Sequence, residues 1–176
     1  MLAIKKWARP ARPTTSARWW PAALALLFVV GCDPPGRKAL LTGERLMQQG
    51  KPAAAVEPLK QATALLATNP AASALAWNEL GLAYHRAGRL AEATQAYQTA
   101  LKRDFNLVAA RYNLGCALLA QSNLAGAINE FTTYATHRPR DTAGWLRLGA
   151  TQYRARQHEA AERSLQKALE LNLAAG

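Results

Sequence analysis

The sequence predicts an all-α protein, a solenoid of about four stacked antiparallel helix pairs, and three observations carry that expectation. The chain repeats itself with a period of 34: Trp77 and Trp145 lie 68 residues apart, and Leu80, Leu114, Leu148, then Gly81, Gly115, Gly149, then Ala93, Ala127, Ala161 align without gaps. Within a repeat, apolar or small residues fall at positions 4, 7, 8 and 11 and again at 20, 24 and 27, the spacing of one helical face in each half. Small residues at facing positions let paired helices approach closely, which offsets the roughly 1 kcal/mol that a glycine costs inside a helix. A lone pair cannot bury its apolar face, so neighbours must stack and share a core.

The front of the chain is different. Lys5, Lys6, Arg9, Arg12 and Arg18 face no acidic residue in the first 31 positions, and the run Ala22 to Val30 is apolar. Such a run is far short of the roughly 20 residues that cross a bilayer and has the size of a signal-peptide core. It ends in Val29-Val30-Gly31-Cys32, which resembles the lipobox of bacterial lipoproteins. The resemblance implies a signal peptide over residues 1–31, cleavage before Cys32, and a membrane tether through lipid on the Cys32 thiol. Two or three acyl chains anchor stably, since each buried methylene contributes about 0.8 kcal/mol. The implied location is the bacterial cell envelope, on the exported face; Asp33, an inner-membrane retention signal in enteric lipoproteins, leaves inner against outer membrane open elsewhere. Residues 32–36 read as the lipidated cysteine and a short linker, with Pro34, Pro35 and Gly36 a stiff, non-helical spacer.

The repeats follow as 36–73, a degenerate copy, then 74–107, 108–141 and 142–175. The first copy keeps Gly43, Leu46, Gly50, Ala55, Leu59 and Ala62 in phase, has four extra residues around Thr68-Asn69-Pro70-Ala71, and places Pro58 where it should kink its second helix. The stretch WNELGLAYHRAGRLAEATQAYQTAL, Trp77 to Leu101, resembles the tetratricopeptide repeat (TPR), and the resemblance implies a right-handed superhelix. Departures are Arg111 in place of the aromatic, Ser122 and Arg156 where Gly88 marks the turn between helices, Phe105 where Pro139 ends a repeat, and Tyr134 where Ala100 and Ala168 stand.

In that family the groove is lined from the first helix of each repeat. Carried over, this gives Leu75, Asn78, Leu82, His85 and Arg86, then Tyr112, Cys116 and Leu119, then Leu146, Tyr153 and Arg154, a mostly apolar wall suited to a partner protein or peptide. Tyr112 and Tyr153 read equally as groove or packing residues, and Trp145 as core. Asn113 holds a position like one used to clamp a C-terminal carboxylate, but Leu82, Leu146 and Ala150 replace the other clamp residues. No enzyme chemistry is expected: Cys116 is a single thiol without an assured base, and His85, His137 and His158 have no metal-ligand spacing. No cofactor and no metal are implied. The formal charge of +11 falls to +6 once the front is set aside, and the charges are scattered, which argues against nucleic acid as a partner. Leu169, Leu171 and Leu173 on the last helix leave two readings, a contact with another copy or partner, or a face kept soluble by Arg163 and Glu170. The expected function is that of a lipid-anchored adaptor or scaffold; the alternative is a small-molecule or cell-wall-binding protein using His85, Arg86 and Cys116.

Overall fold

The computed structural model describes residues 34–174, so the basic front, the apolar run and Cys32 lie outside the described residues. Among the described residues there are eight helices and no strand: α1 (Pro35–Gln48), α2 (Pro52–Leu65), α3 (Pro70–Arg86), α4 (Leu90–Arg103), α5 (Val108–Ala120), α6 (Leu124–His137), α7 (Thr142–Arg154) and α8 (His158–Leu173). They pack as four pairs, α1 on α2 through α7 on α8, and each pair leans on the next through α2 on α3, α4 on α5 and α6 on α7. First helices of successive pairs also touch, α1 with α3 and α3 with α5, and the second helices make no comparable contact. The stack therefore curves with its first helices inside. The unit is an all-α solenoid.

One notch recurs in every pair. A glycine on the first helix faces a large side chain sixteen residues later: Gly43 and Leu59, Gly81 and Tyr97, Gly115 and Phe131, Gly149 and Leu165. A Cβ on Gly81 would sit 2.6 Å from the Tyr97 ring, and one on Gly115 2.7 Å from the Phe131 ring, closer than real contacts allow. Leu59, Tyr97 and Phe131 are fully buried in consequence. The outlier Tyr134 is accommodated across a repeat boundary: Gly144 stands where Ala76 and Ala110 stand in earlier repeats, and a Cβ there would lie 2.7 Å from the Tyr134 ring. The Tyr134 hydroxyl in turn donates to Asp141, the N-cap residue of α7.

The four turns inside the pairs share one geometry. Gly50, Gly88, Ser122 and Arg156 all have positive φ, and the next residue donates its N–H to a carbonyl five positions back, at 2.9 Å in each case (Lys51 to Leu46, Arg89 to Tyr84, Asn123 to Leu118, Gln157 to Gln152). This is the glycine-type helix stop. Ser122 and Arg156 adopt it at φ 60°, where a side chain costs about 1–2 kcal/mol.

Two details differ from the sequence expectation, and a third, Pro58 inside the second helix, agrees with it. The spacer Pro34-Pro35-Gly36 is not wholly outside the helix: Pro35 opens α1, where a missing N–H is harmless, and Gly36 is buried against Leu65 and Leu66. The four extra residues after the first repeat extend α3, which has 17 residues against 13 in α5 and α7, and Asn69 caps it by accepting from the Ala72 N–H at 3.1 Å. α2 runs as a single helix through Pro58; Ala54, whose carbonyl loses its donor, is exposed to solvent.

Arg111 takes the place of tryptophan by copying its hydrogen bond. Trp145 donates its indole N–H to the carbonyl of Pro139 at 3.0 Å, and Arg111 donates to the carbonyl of Phe105, also six residues upstream, at 3.1 Å. The Phe105 ring lies 4.2 Å from the guanidinium, and Glu130 on α6 pairs with it at 3.4 Å. At the position of Glu130 the other repeats have Ala96 and Ser164, so the repeats with tryptophan carry a small residue there and the repeat with arginine carries a carboxylate.

Candidate partner-binding groove

The inner wall is built by α1, α3, α5 and α7, and the exposed side chains on it include large apolar ones. Leu75 is 49% exposed and Leu146 53%; Tyr153, 62% exposed, stands at the edge shared with α8, its ring 5.5 Å from that of His158. Arg86 and Arg154 are exposed, and Leu82, His85, Tyr112, Cys116 and Leu119 are half-buried. Leu82 packs on the core of the first repeats, and Tyr112, Cys116 and Leu119 pack on the Phe131 and Leu148 cluster. Tyr112 is both packing and surface: its ring lies 5.8 Å from Phe131 and 5.1 Å from Tyr134, and its hydroxyl accepts from Arg147 Nε at 3.2 Å. Trp145 is half-buried on the same cluster.

Asn78 departs from the expected lining. It is 5% exposed, donates to Glu79 at 3.2 Å and accepts from Asn113 at 3.0 Å. Its amide is committed to joining α3 to α5, because an unpaired amide at that depth would cost about 1–3 kcal/mol. What sequence reasoning missed is the row at position 6 of the repeats: Glu79 on α3, Asn113 on α5 and Arg147 on α7 run from carboxylate through amide to guanidinium. The signal for it is position 6 read down the aligned repeats, since its members share a face.

Burial and the Glu44 charge raise the Glu79 carboxyl above its usual range. Burial, then Arg86, lowers His85. Burial pushes the Cys116 thiol up, against the opposing pull of Arg147 and Tyr112. That is the reverse of what an activated nucleophile requires. Among the described residues no group of three or more His, Cys, Asp or Glu side chains could hold a metal ion, and no helix is long and apolar enough to cross a membrane. A second apolar surface lies on α8, where Tyr153, Leu165 and Leu169 border an open concavity and Leu173 is 72% exposed.

The profile of a tetratricopeptide repeat family matches residues 40–106 and 112–174, well over half of the chain. Among curated proteins, no sequence matches it. Solved structures similar to it include the crystal structure of MamA, at 23% identity over 80% of this chain and 80% of that one, TM-score 0.74. MamA residues 41 to the end from Desulfovibrio magneticus RS-1 matches at 22% identity over 79% and 76%, TM-score 0.72. A tetratricopeptide repeat protein from Parabacteroides merdae ATCC 43184 matches at 21% over 80% of this chain and 54% of its own, TM-score 0.70. At these identities the likeness concerns the fold.

Proposed function

Because the chain belongs to the tetratricopeptide repeat family, whose fold generally mediates protein–protein interaction, we propose that it is a lipid-anchored adaptor of the bacterial cell envelope that docks a partner protein or peptide in its groove. The observation that carries the docking is the set of exposed apolar side chains, Leu75, Leu146 and Tyr153, on helices whose other faces are buried. Large apolar groups left uncovered on an inner wall favour an occupant that removes them from water. What supports the tether is the sequence Val29-Val30-Gly31-Cys32 behind a basic, apolar front. The chain then works as a fixed receiver at the membrane, without chemistry of its own. The exposed α8 face, with Leu165, Leu169 and Leu173, is the second contact surface in this reading, toward another copy of the chain.

Photo-crosslinkers placed at Leu75 and Leu146, with Gln98 on the outer helix α4 as the control, test the groove in cells. Discrete adducts from the inner positions that vanish with Tyr112→Ala plus Leu82→Ala are the expected result, with circular dichroism unchanged. Equal labelling from Gln98 would remove the groove from the account. Intact mass of the mature chain tests the tether: it should start at Cys32 and carry a diacylglyceryl mass, and an unmodified chain with its first 31 residues attached would refute it.

A further inference from the structure

The charges on the inner helices define what kind of segment the groove takes, on the premise that the groove is the docking surface. α5 and α7 contain no Asp or Glu, whereas α1 carries Glu44 and α3 carries Glu79. Of the arginines on α5 and α7, Arg111 is buried against Glu130, while Arg147 and Arg154 are exposed. Among the described residues neither of the exposed pair has a carboxylate within 4.0 Å. Arg147 is held at Nε by the Tyr112 hydroxyl, which leaves its two terminal nitrogens and their four N–H donors uncommitted. One helix away, Arg138 borders a concavity of about 260 Å³ with Ala109, Tyr112, Asn113 and Tyr134.

α7 also repeats a doublet. Leu146-Arg147 and Tyr153-Arg154 are seven residues apart, two helical turns or about 10.5 Å, so both exposed apolar groups and both arginines recur on one side of the helix. An apolar contact beside a fixed guanidinium suits a side-chain pair of which one member is apolar and the other a carboxylate. We infer that the C-terminal half of the groove binds an acidic peptide segment of a partner protein, with carboxylates on Arg147 and Arg154 and apolar side chains on Leu146 and Tyr153. A nucleic-acid strand fits less well, because Glu44 and Glu79 further along the inner wall would repel a continuous polyanion.

The test is fluorescence anisotropy with the full-length chain and labelled twelve-residue peptides of leucine and glutamate, with glutamine and lysine isologues and an oligothymidylate of equal length. The glutamate peptide should bind about tenfold more tightly than the glutamine one, and the difference should shrink as salt rises from about 50 to 200 mM. Arg147→Gln with Arg154→Gln should erase that difference and leave the glutamine peptide's affinity within about twofold. Equal binding of the two peptides, tighter binding of the lysine peptide or of the oligothymidylate, no binding of the glutamate peptide, or an unaffected double variant would each overturn the inference. A glutamine peptide that binds, and is lost with Leu75→Asp plus Leu146→Asp, keeps the groove as docking surface even if the acidic preference fails. A glutamate peptide indifferent to those two changes rejects the groove itself.

Discussion

Replacing Arg111 by alanine should destabilise the protein by about 3 kcal/mol, and the structure gives the reasons for that size. The Arg111 side chain is 8% exposed and that of its partner Glu130 is 16%, so neither is screened as a surface pair would be. Truncation removes the 3.4 Å ion pair, the 3.1 Å bond to the Phe105 carbonyl and the ring contact at 4.2 Å, and it strands a carboxylate beside α5. Breaking a buried pair from one side costs about 3–5 kcal/mol, and the residual exposure of Glu130 places this case at the low end. The informative partner experiment is Arg111→Trp together with Glu130→Ala, which rebuilds the arrangement of Trp77 with Ala96 and lets an indole reach the Phe105 carbonyl as Trp145 reaches that of Pro139. That double variant should return to within about 1 kcal/mol of the parent. Urea unfolding followed by circular dichroism measures both, with the slope of the transition checked for constancy. A loss of less than about 1 kcal/mol in Arg111→Ala, or a double variant no more stable than Arg111→Ala, would refute this account of the site.

Gly115→Ala should lower stability by about 1–2 kcal/mol, the overpacking against Phe131 outweighing the gain in helix propensity; a rise in Tm would refute the notch. Ser122→Gly and Arg156→Gly should each stabilise by about 1 kcal/mol in thermal melts, because both residues hold positive φ. Tyr97→Phe should be neutral or stabilising, since the buried Tyr97 hydroxyl has no partner and Phe131 fills the same notch one repeat on; a loss above about 1 kcal/mol would mean that the hydroxyl is satisfied in solution. Glu79 binds its proton more tightly folded than unfolded, so its stabilising contribution is complete below the ordinary value of 4.5 and fades as pH rises through the higher folded value. Glu79→Gln should therefore raise Tm at pH 7 and leave it unchanged below about pH 4.

The 34-residue period was legible because each pair needs the same small residues in the same places, and the notch of Gly81 on Tyr97 is one such requirement. A packing solution that spans two repeats leaves no such periodic mark. Tyr134 aligns as an oddity until Gly144 in the next repeat is placed beside it, and Arg111 reads as a damaged aromatic position until Glu130 and the Phe105 carbonyl are brought to it by folding. Asn78 belongs to the groove by position but is withdrawn from it by a hydrogen bond that its side-chain carbonyl accepts from the Asn113 amide, 35 residues away, which no local pattern announces. The Pro-Pro-Gly stretch reads as a stiff, non-helical linker because these residues usually end helices, yet Pro35 opens α1 and Gly36 fits under Leu66. Arg147 escaped notice because arginine on an exposed helix position carries no signal until its neighbours prove free of acid.

Among the described residues, helix contacts run between adjacent pairs, so the first and last of these pairs have one neighbouring pair each and the middle pairs have two. The ends should therefore breathe before the centre does, with faster amide exchange at α1 and α8 than at α4 and α5. A segment lying along the inner wall would cross several pairs at once, like a splint over a row of hinges. Occupancy would then register as slowed exchange in terminal helices that the segment does not itself touch.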